Sequence, residues 1–184
     1  MRSSSPGHIA VDVHYVGQLA VVAAVVFADW NASEESHRLV LQFGNIAPYV
    51  SGSFYLRELP CLEKIIESLD CAIATIVIDG YVTLGSQQIP GLGMHLWLSL
   101  AKRIPVIGVA KSNFRGTPEE AKLYRGNSRR PLFISCMGLP LDEAQNYIAR
   151  MQGEYRIPTL LKSADRLSRT GVQDARAPNA RIHL

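Results

Sequence analysis

Residues 9–15 alternate: Ile9, Val11, Val13 and Tyr15 fall on one side of an extended backbone, with Ala10, Asp12 and His14 on the other. That period of two predicts a β-strand over 8–15. A continuous apolar run, Leu19 to Ala28, follows and predicts a second strand, over 18–28, pairing with the first. A third strand is predicted at 38–43, then a helix near 60–69, a strand at 73–79, a helix near 91–102 and a strand at 104–110. After a basic connector come a strand at 131–136 and a helix at 140–152 introduced by Pro140 and Asp142. In IPTLLKSADRLSR, Leu160, Leu161, Ala164 and Leu167 make one helical stripe with Lys162, Arg166 and Arg169 outside it, the pattern of an amphipathic helix docked on a domain. Three strands followed by alternating helices and strands predict a mixed α/β sheet, and there is no internal repeat.

Length and composition narrow this picture. A chain of 184 residues with 47% hydrophobic content predicts one globular domain, placed at 8–169 between a disordered lead (1–7) and a flexible, small and polar tail (170–184). The run at 19–28 is too short to span a bilayer, so no membrane partner is expected. Cys61, Cys71 and Cys136 are odd in number and lack CxxC spacing, which argues against both a disulfide framework and a zinc site and points to a reducing cytoplasm. A net charge of +3 permits a nucleic-acid partner without requiring one.

The chemistry lies in acids placed where strands disfavour them. ATIVIDG, residues 74–80, carries Thr75 to Ile78 without alternation, as a strand covered on both faces does, and ends in Asp79-Gly80. Asp79 is therefore expected close to the interior, where a carboxylate needs a partner, although Asp-Gly alone is also a common turn pair. Asp12 lies inside a strand, where aspartate is depleted unless one face is solvated. Glu58 closes PYVSGSFYLRE just before Leu59-Pro60. Three acids in or at the ends of elements, distant in sequence, form the pattern of a hard-cation site, because a Mg²⁺ reverses the sign of their mutual repulsion.

Four segments together go further. PYVSGSFYLRE (48–58) is similar to the endonuclease V family segment PYIPGxLxFRE, with Tyr, Gly, Arg and Glu at matching spacing. IAVDVHY resembles the family's first acidic strand, IVIDG its later acidic strand, and IPVIGVAK (104–111) the strand leading to a lysine; the matches keep the family's order and cover about residues 8–160. The resemblance implies a ribonuclease H-like fold and Mg²⁺-dependent hydrolysis, with Mn²⁺ able to substitute, of a phosphodiester 3′ to a deaminated base, hypoxanthine in DNA or inosine in RNA. Carried over by position, it implies that Asp12 and Asp79 hold the metal, that Glu58 completes the acidic cluster as a third metal residue and orients the attacking water, and that Lys111 lies against the scissile phosphate. It further implies that Tyr49 wedges between the strands, and that Gly52 and Gly80 let backbone approach the extruded base. A monomer is expected.

Departures from the family's pattern accompany the matches. Where the family continues DGxGxAHPR, this chain reads DGYVTLGSQQIPGLGMHL, so the His-Pro-Arg element is absent. Where the family has SxGHxxS, this chain reads ISCMGLPLDEA, with no His, Asp or Glu until Asp142, so one polar group of the usual set is missing there. His95 matches a family histidine but sits on a mostly apolar helix, and His14 is a second candidate for compensation. Gly91 and Gly93 read as a tight loop-to-helix connection, with a phosphate cradle as the weaker alternative. Arg125 and Arg129, with Arg130 and Lys122, are candidates for phosphate contacts, a solvated basic loop being the alternative. Two other functions fit the same residues: a nucleic-acid-binding homologue with weakened cleavage, and a nuclease acting on flaps, mismatches or single strands.

Overall fold

The computed structural model describes residues 6–44, 55–174 and 182–183. Its centre is one mixed sheet. Strands β1 (Gly7–Val16), β2 (Leu19–Phe27) and β3 (His37–Phe43) form an antiparallel meander. Helix α1 (Tyr55–Glu67) then crosses to β4 (Ile73–Asp79), which pairs parallel to β1. A small hairpin, β5 (Thr83–Leu84) with β6 (Ile89–Pro90), and helix α2 (Leu92–Ser99) lead to β7 (Val106–Ala110), parallel to β4. Then come β8 (Lys122–Leu123), β9 (Leu132–Met137), α3 (Leu141–Arg150), α4 (Thr159–Asp174) and β10 (Ile182–His183), giving the order β10-β3-β2-β1-β4-β7-β9-β8. This is the mixed α/β sheet flanked by helices that the sequence predicts.

Both faces are covered. Ile9, Val11, Ile76 and Ile78 point toward α1 and α2, packing with Leu62, Ile65 and Leu96. Ala10, Val25, Val77, Ile107 and Ile134 point toward α3 and α4, packing with Ala144, Ile148, Leu160 and Ala164. Two covered faces explain why β2 reads as an almost unbroken apolar run. They also exclude the solvated edge that could have excused Asp12, since β1 is paired on both sides.

Some boundaries differ from the sequence expectation. Helix α1 begins at Tyr55 rather than near residue 60, with Pro60 inside it. One amide is lost there, and burial of Cys61, Leu62, Ile65 and Ile66 offsets it. Gly7, expected in the lead, opens β1. At the other end α4 continues past Arg169 to Asp174, tied to the sheet by Gln42, whose Nε2 donates to the Gly171 carbonyl at 2.7 Å.

Candidate active site

The acids come together because of strand register. Val11 is level with Ile78, so Asp12 and Asp79 follow one residue later on adjacent strands, on the face shared by Ala10 and Val77. Helix α4 crosses that face and adds a third acid, Asp165. One carboxylate oxygen from each of Asp12, Asp79 and Asp165 lies within 4.8 Å of the others. Lys111, next to the end of β7, brings its Nζ to 2.5 Å from Asp79 Oδ2 and 3.9 Å from Asp165 Oδ1. Asp79 is less enclosed than the sequence predicts: Thr75 to Ile78 are buried, but the Asp79 side chain is 37% exposed at the strand end.

Each acid has a different environment. Burial pushes the Asp12 carboxyl above the usual range and the charges of Asp79 and Asp165 add to that, while a hydrogen bond from Ser168 and the charge of Lys111 oppose it. The fully buried Ser168 places its Oγ 2.5 Å from Asp12 Oδ2. Asp165 is held below the usual range, chiefly by hydrogen bonds from Arg169, whose Nε and Nη2 donate to Oδ2 and Oδ1 at 3.1 Å each. His14 adds a smaller effect of the same sign. Glu58 reaches the cluster from α1 on the other face, lining a cleft with Asp12, Asp79, Leu62 and Leu92. It is 7% exposed, and burial followed by the charges of Asp12 and Asp79 pushes its carboxyl up to about 8. Arg57 opposes this only partly, its guanidinium lying over the Tyr15 ring at 3.8 Å.

The acid that sequence alone misses is Asp165. The missing polar group was to be expected after Ser135, but Ser135 serves the structure instead, since its Oγ accepts the Val82 amide at 2.8 Å and so fixes the loop that follows Asp79. Gly108 assists, because a Cβ there would stand 2.6 Å from the Gly80 carbonyl oxygen and 2.8 Å from the Val82 nitrogen. A signal for Asp165 exists in KSADRLSR. It lies four residues after Leu161 on the margin of the inward stripe, and Ser168 lies four after Ala164, so two polar groups adjoin an otherwise apolar face.

The other expected residues divide. Gly80, with φ +137° and open space where a Cβ would point, borders a pocket with Tyr55, Tyr81, Pro90, Gly91 and Leu92, directly beside Asp79 and Glu58. Gly91 and Gly93 seat α2 on the loop, because Cβ atoms there would lie 2.7 Å from the Tyr81 carbonyl and 2.6 Å from Val82 Cγ2; a tight connection describes them better than a phosphate cradle. The His95 ring stacks on Tyr55, ring centroids 3.6 Å apart. Arg125 is a correction. It is buried, and its guanidinium donates to the carbonyls of Tyr155, Arg156 and Met151, leaving it committed to holding the 151–156 segment rather than a phosphate. Arg129 and Arg130 are exposed. Tyr49 and Gly52 lie outside the described residues.

Comparison with known proteins decides the relationship. The pattern of the Endonuclease V family matches residues 6–132, most of the chain. The chain belongs to the endonuclease V family. Endonuclease V of Pyrococcus abyssi is 32% identical over 90% of this chain and 80% of its own length. The crystal structure of endonuclease V from Streptomyces avermitilis is 28% identical, with a TM-score of 0.75 over 95% of this chain and 84% of that one. An endonuclease V from Ciona intestinalis, in complex with a 24mer DNA containing an inosine followed by a ribo-adenosine, shares the fold at 19% identity and a TM-score of 0.75, covering 95% of this chain and 89% of that one. As an endonuclease V the chain is a nuclease, and its acid cluster is of the kind a divalent metal occupies. Among the described residues no helix is long and apolar enough to cross a membrane.

Proposed function

We propose that this endonuclease V is a divalent-metal-dependent endonuclease that hydrolyses a phosphodiester 3′ to a deaminated base, inosine or hypoxanthine, in DNA or RNA, as a monomeric repair enzyme of the cytoplasm. The observation that carries this reading is the gathering of Asp12, Asp79 and Asp165 oxygens within 4.8 Å beside Lys111, with Asp79 also bordering the Gly80–Tyr81 pocket. Three hard oxygen donors with only partial compensation by Lys111 suit Mg²⁺, with Mn²⁺ as a substitute. A bound Mg²⁺ supplies Lewis-acid stabilisation of charge developing on the phosphate.

The chain's own residues do the rest. Asp12, Asp79 and Asp165 hold the ion. Glu58, at the edge of the cluster in the cleft it shares with Asp12 and Asp79, orients the attacking water. Lys111 sets a fixed positive charge against the non-bridging oxygens. The pocket between Gly80–Tyr81 and Gly91–Leu92 receives the extruded base, with Gly80 leaving room at its wall. Tyr49 and Gly52 keep the wedge and base-approach roles that the family resemblance implies, and Arg129 contacts phosphate. DNA containing inosine bound to the Ciona relative supports the substrate class.

Asp165 favours catalysis over a binding-only homologue, since it brings a polar group to the cluster where the one expected after Ser135 is missing. A second reading rests on the β5–β6 hairpin, whose tip, Gly85 to Gln88, stands where the family has His-Pro-Arg. A changed base preference, toward flaps, mismatches or single strands, would be the consequence. Asp165→Asn tests the site. It is expected to abolish the thermal stabilisation given by Mg²⁺ or Mn²⁺ and to lower cleavage by roughly 100-fold or more, equivalent to about 2.7 kcal/mol at the transition state. Retention of both would remove Asp165 from the metal site.

A further inference from the structure

We propose that the Tyr81 hydroxyl is a positioning group that ties the base pocket to the backbone carrying Lys111. The inference rests on the roles proposed for that pocket and that lysine. Tyr81 has two attachments of different kinds. Its backbone belongs to the loop after Asp79 and its residue borders the pocket, whereas its phenol crosses to the segment after Lys111. There the hydroxyl donates to the Ser112 carbonyl at 2.8 Å and accepts the Phe114 amide at 3.1 Å, with Thr117 Oγ1 at 3.5 Å. The Phe114 ring meets the Tyr81 ring edge-on, centroids 6.3 Å apart.

Residues 112–118 form no helix or strand; the Thr117 amide and Oγ1 close a turn onto the Phe114 carbonyl at 3.0 and 2.8 Å, and the Tyr81 hydroxyl ties that turn to the loop after Asp79. Lys111 is thus gripped on both flanks. Its own carbonyl accepts Arg156 Nη1 at 3.0 Å, and Arg156 is in turn anchored by the Pro131 carbonyl at 2.7 Å. On the other flank the next carbonyl, that of Ser112, is held by Tyr81. The value of a fixed charge in catalysis depends on placement to within about an ångström. A phenol joining the pocket loop to the lysine loop makes the Nζ position depend on how the pocket is filled.

Two measurements separate this proposal from the functional reading beneath it. In single-turnover cleavage of an inosine oligonucleotide, Tyr81→Phe, which keeps the ring, is expected to slow cleavage roughly 10-fold while substrate affinity stays within about twofold. The same substitution in a Lys111→Ala background is expected to cost almost nothing, because the group being positioned is already gone. Equal losses in both backgrounds, or no loss in either, overturn the proposal. Hydrogen exchange supplies a readout independent of activity: the Phe114 amide loses its acceptor in Tyr81→Phe and should exchange faster across 112–117, while the melting temperature stays near wild type. Unchanged exchange overturns the tie. If the wild type cuts no inosine substrate, the functional reading fails, and the exchange result alone decides the tie.

Discussion

Glu58 is where the electrostatics of the site are most strained. A carboxyl whose ordinary value is 4.5 is raised to about 8, so in the metal-free protein it holds its proton at neutral pH. The folded state then binds a proton that the unfolded state has lost, and stability contributed by this residue is full below about pH 4.5 and declines as pH rises toward 8. Glu58→Gln should therefore flatten the fall in metal-free melting temperature between these limits, and should make the protein more stable at pH 8. An undiminished fall would show that another group is responsible. Cys61, raised to about 11 by burial and by the charge of Glu58, stays a thiol across the same range. At this scale Asp12 and Asp79 were legible because acids are out of place in strands, whereas Asp165 was not, since an acid on an amphipathic helix is ordinary until the helix is seen to cross the strand ends.

Elements bring these residues together through a few close approaches. The loop after β4 is pressed onto β7 at Gly108 and pinned to β9 by Ser135, and this fixes where Asp79, Gly80 and Tyr81 stand. Gly108→Ala puts a methyl group against the Gly80 carbonyl and the Val82 amide, and should destabilise the protein by about 1–3 kcal/mol, read from denaturant unfolding. Wild-type stability in that variant would mean that the loop is free to move, and the seat proposed for the pocket would be wrong. The long elements could be read from periodicity: β1 by alternation, β2 by unbroken burial, α4 by its stripe. The start of α1 was hidden because Pro60 ordinarily ends or begins a helix. Strands β5, β6 and β8, two residues each, are too short to show a period at all.

For the whole molecule the question is which surface meets nucleic acid. The basic residues near 122–130, alike in sequence, separate in the structure: Arg125 holds three backbone carbonyls, and Arg129 faces solvent. Arg129→Ala should lower the slope of log affinity against log salt by about 1, while Arg125→Met should leave that slope alone and lower the melting temperature. The reverse pattern would reassign both. Burial was the one property that sequence could not supply here, because both arginines sit in polar surroundings. The most direct test of the proposed function is cleavage of matched labelled oligonucleotides, DNA and RNA, single- and double-stranded, with and without one inosine, in Mg²⁺ and Mn²⁺, beside Asp79→Ala. Cuts on the 3′ side of inosine that vanish in the variant are the predicted result. Metal-dependent cuts indifferent to inosine would contradict the assigned base preference, and binding without any cut would contradict the assigned catalysis.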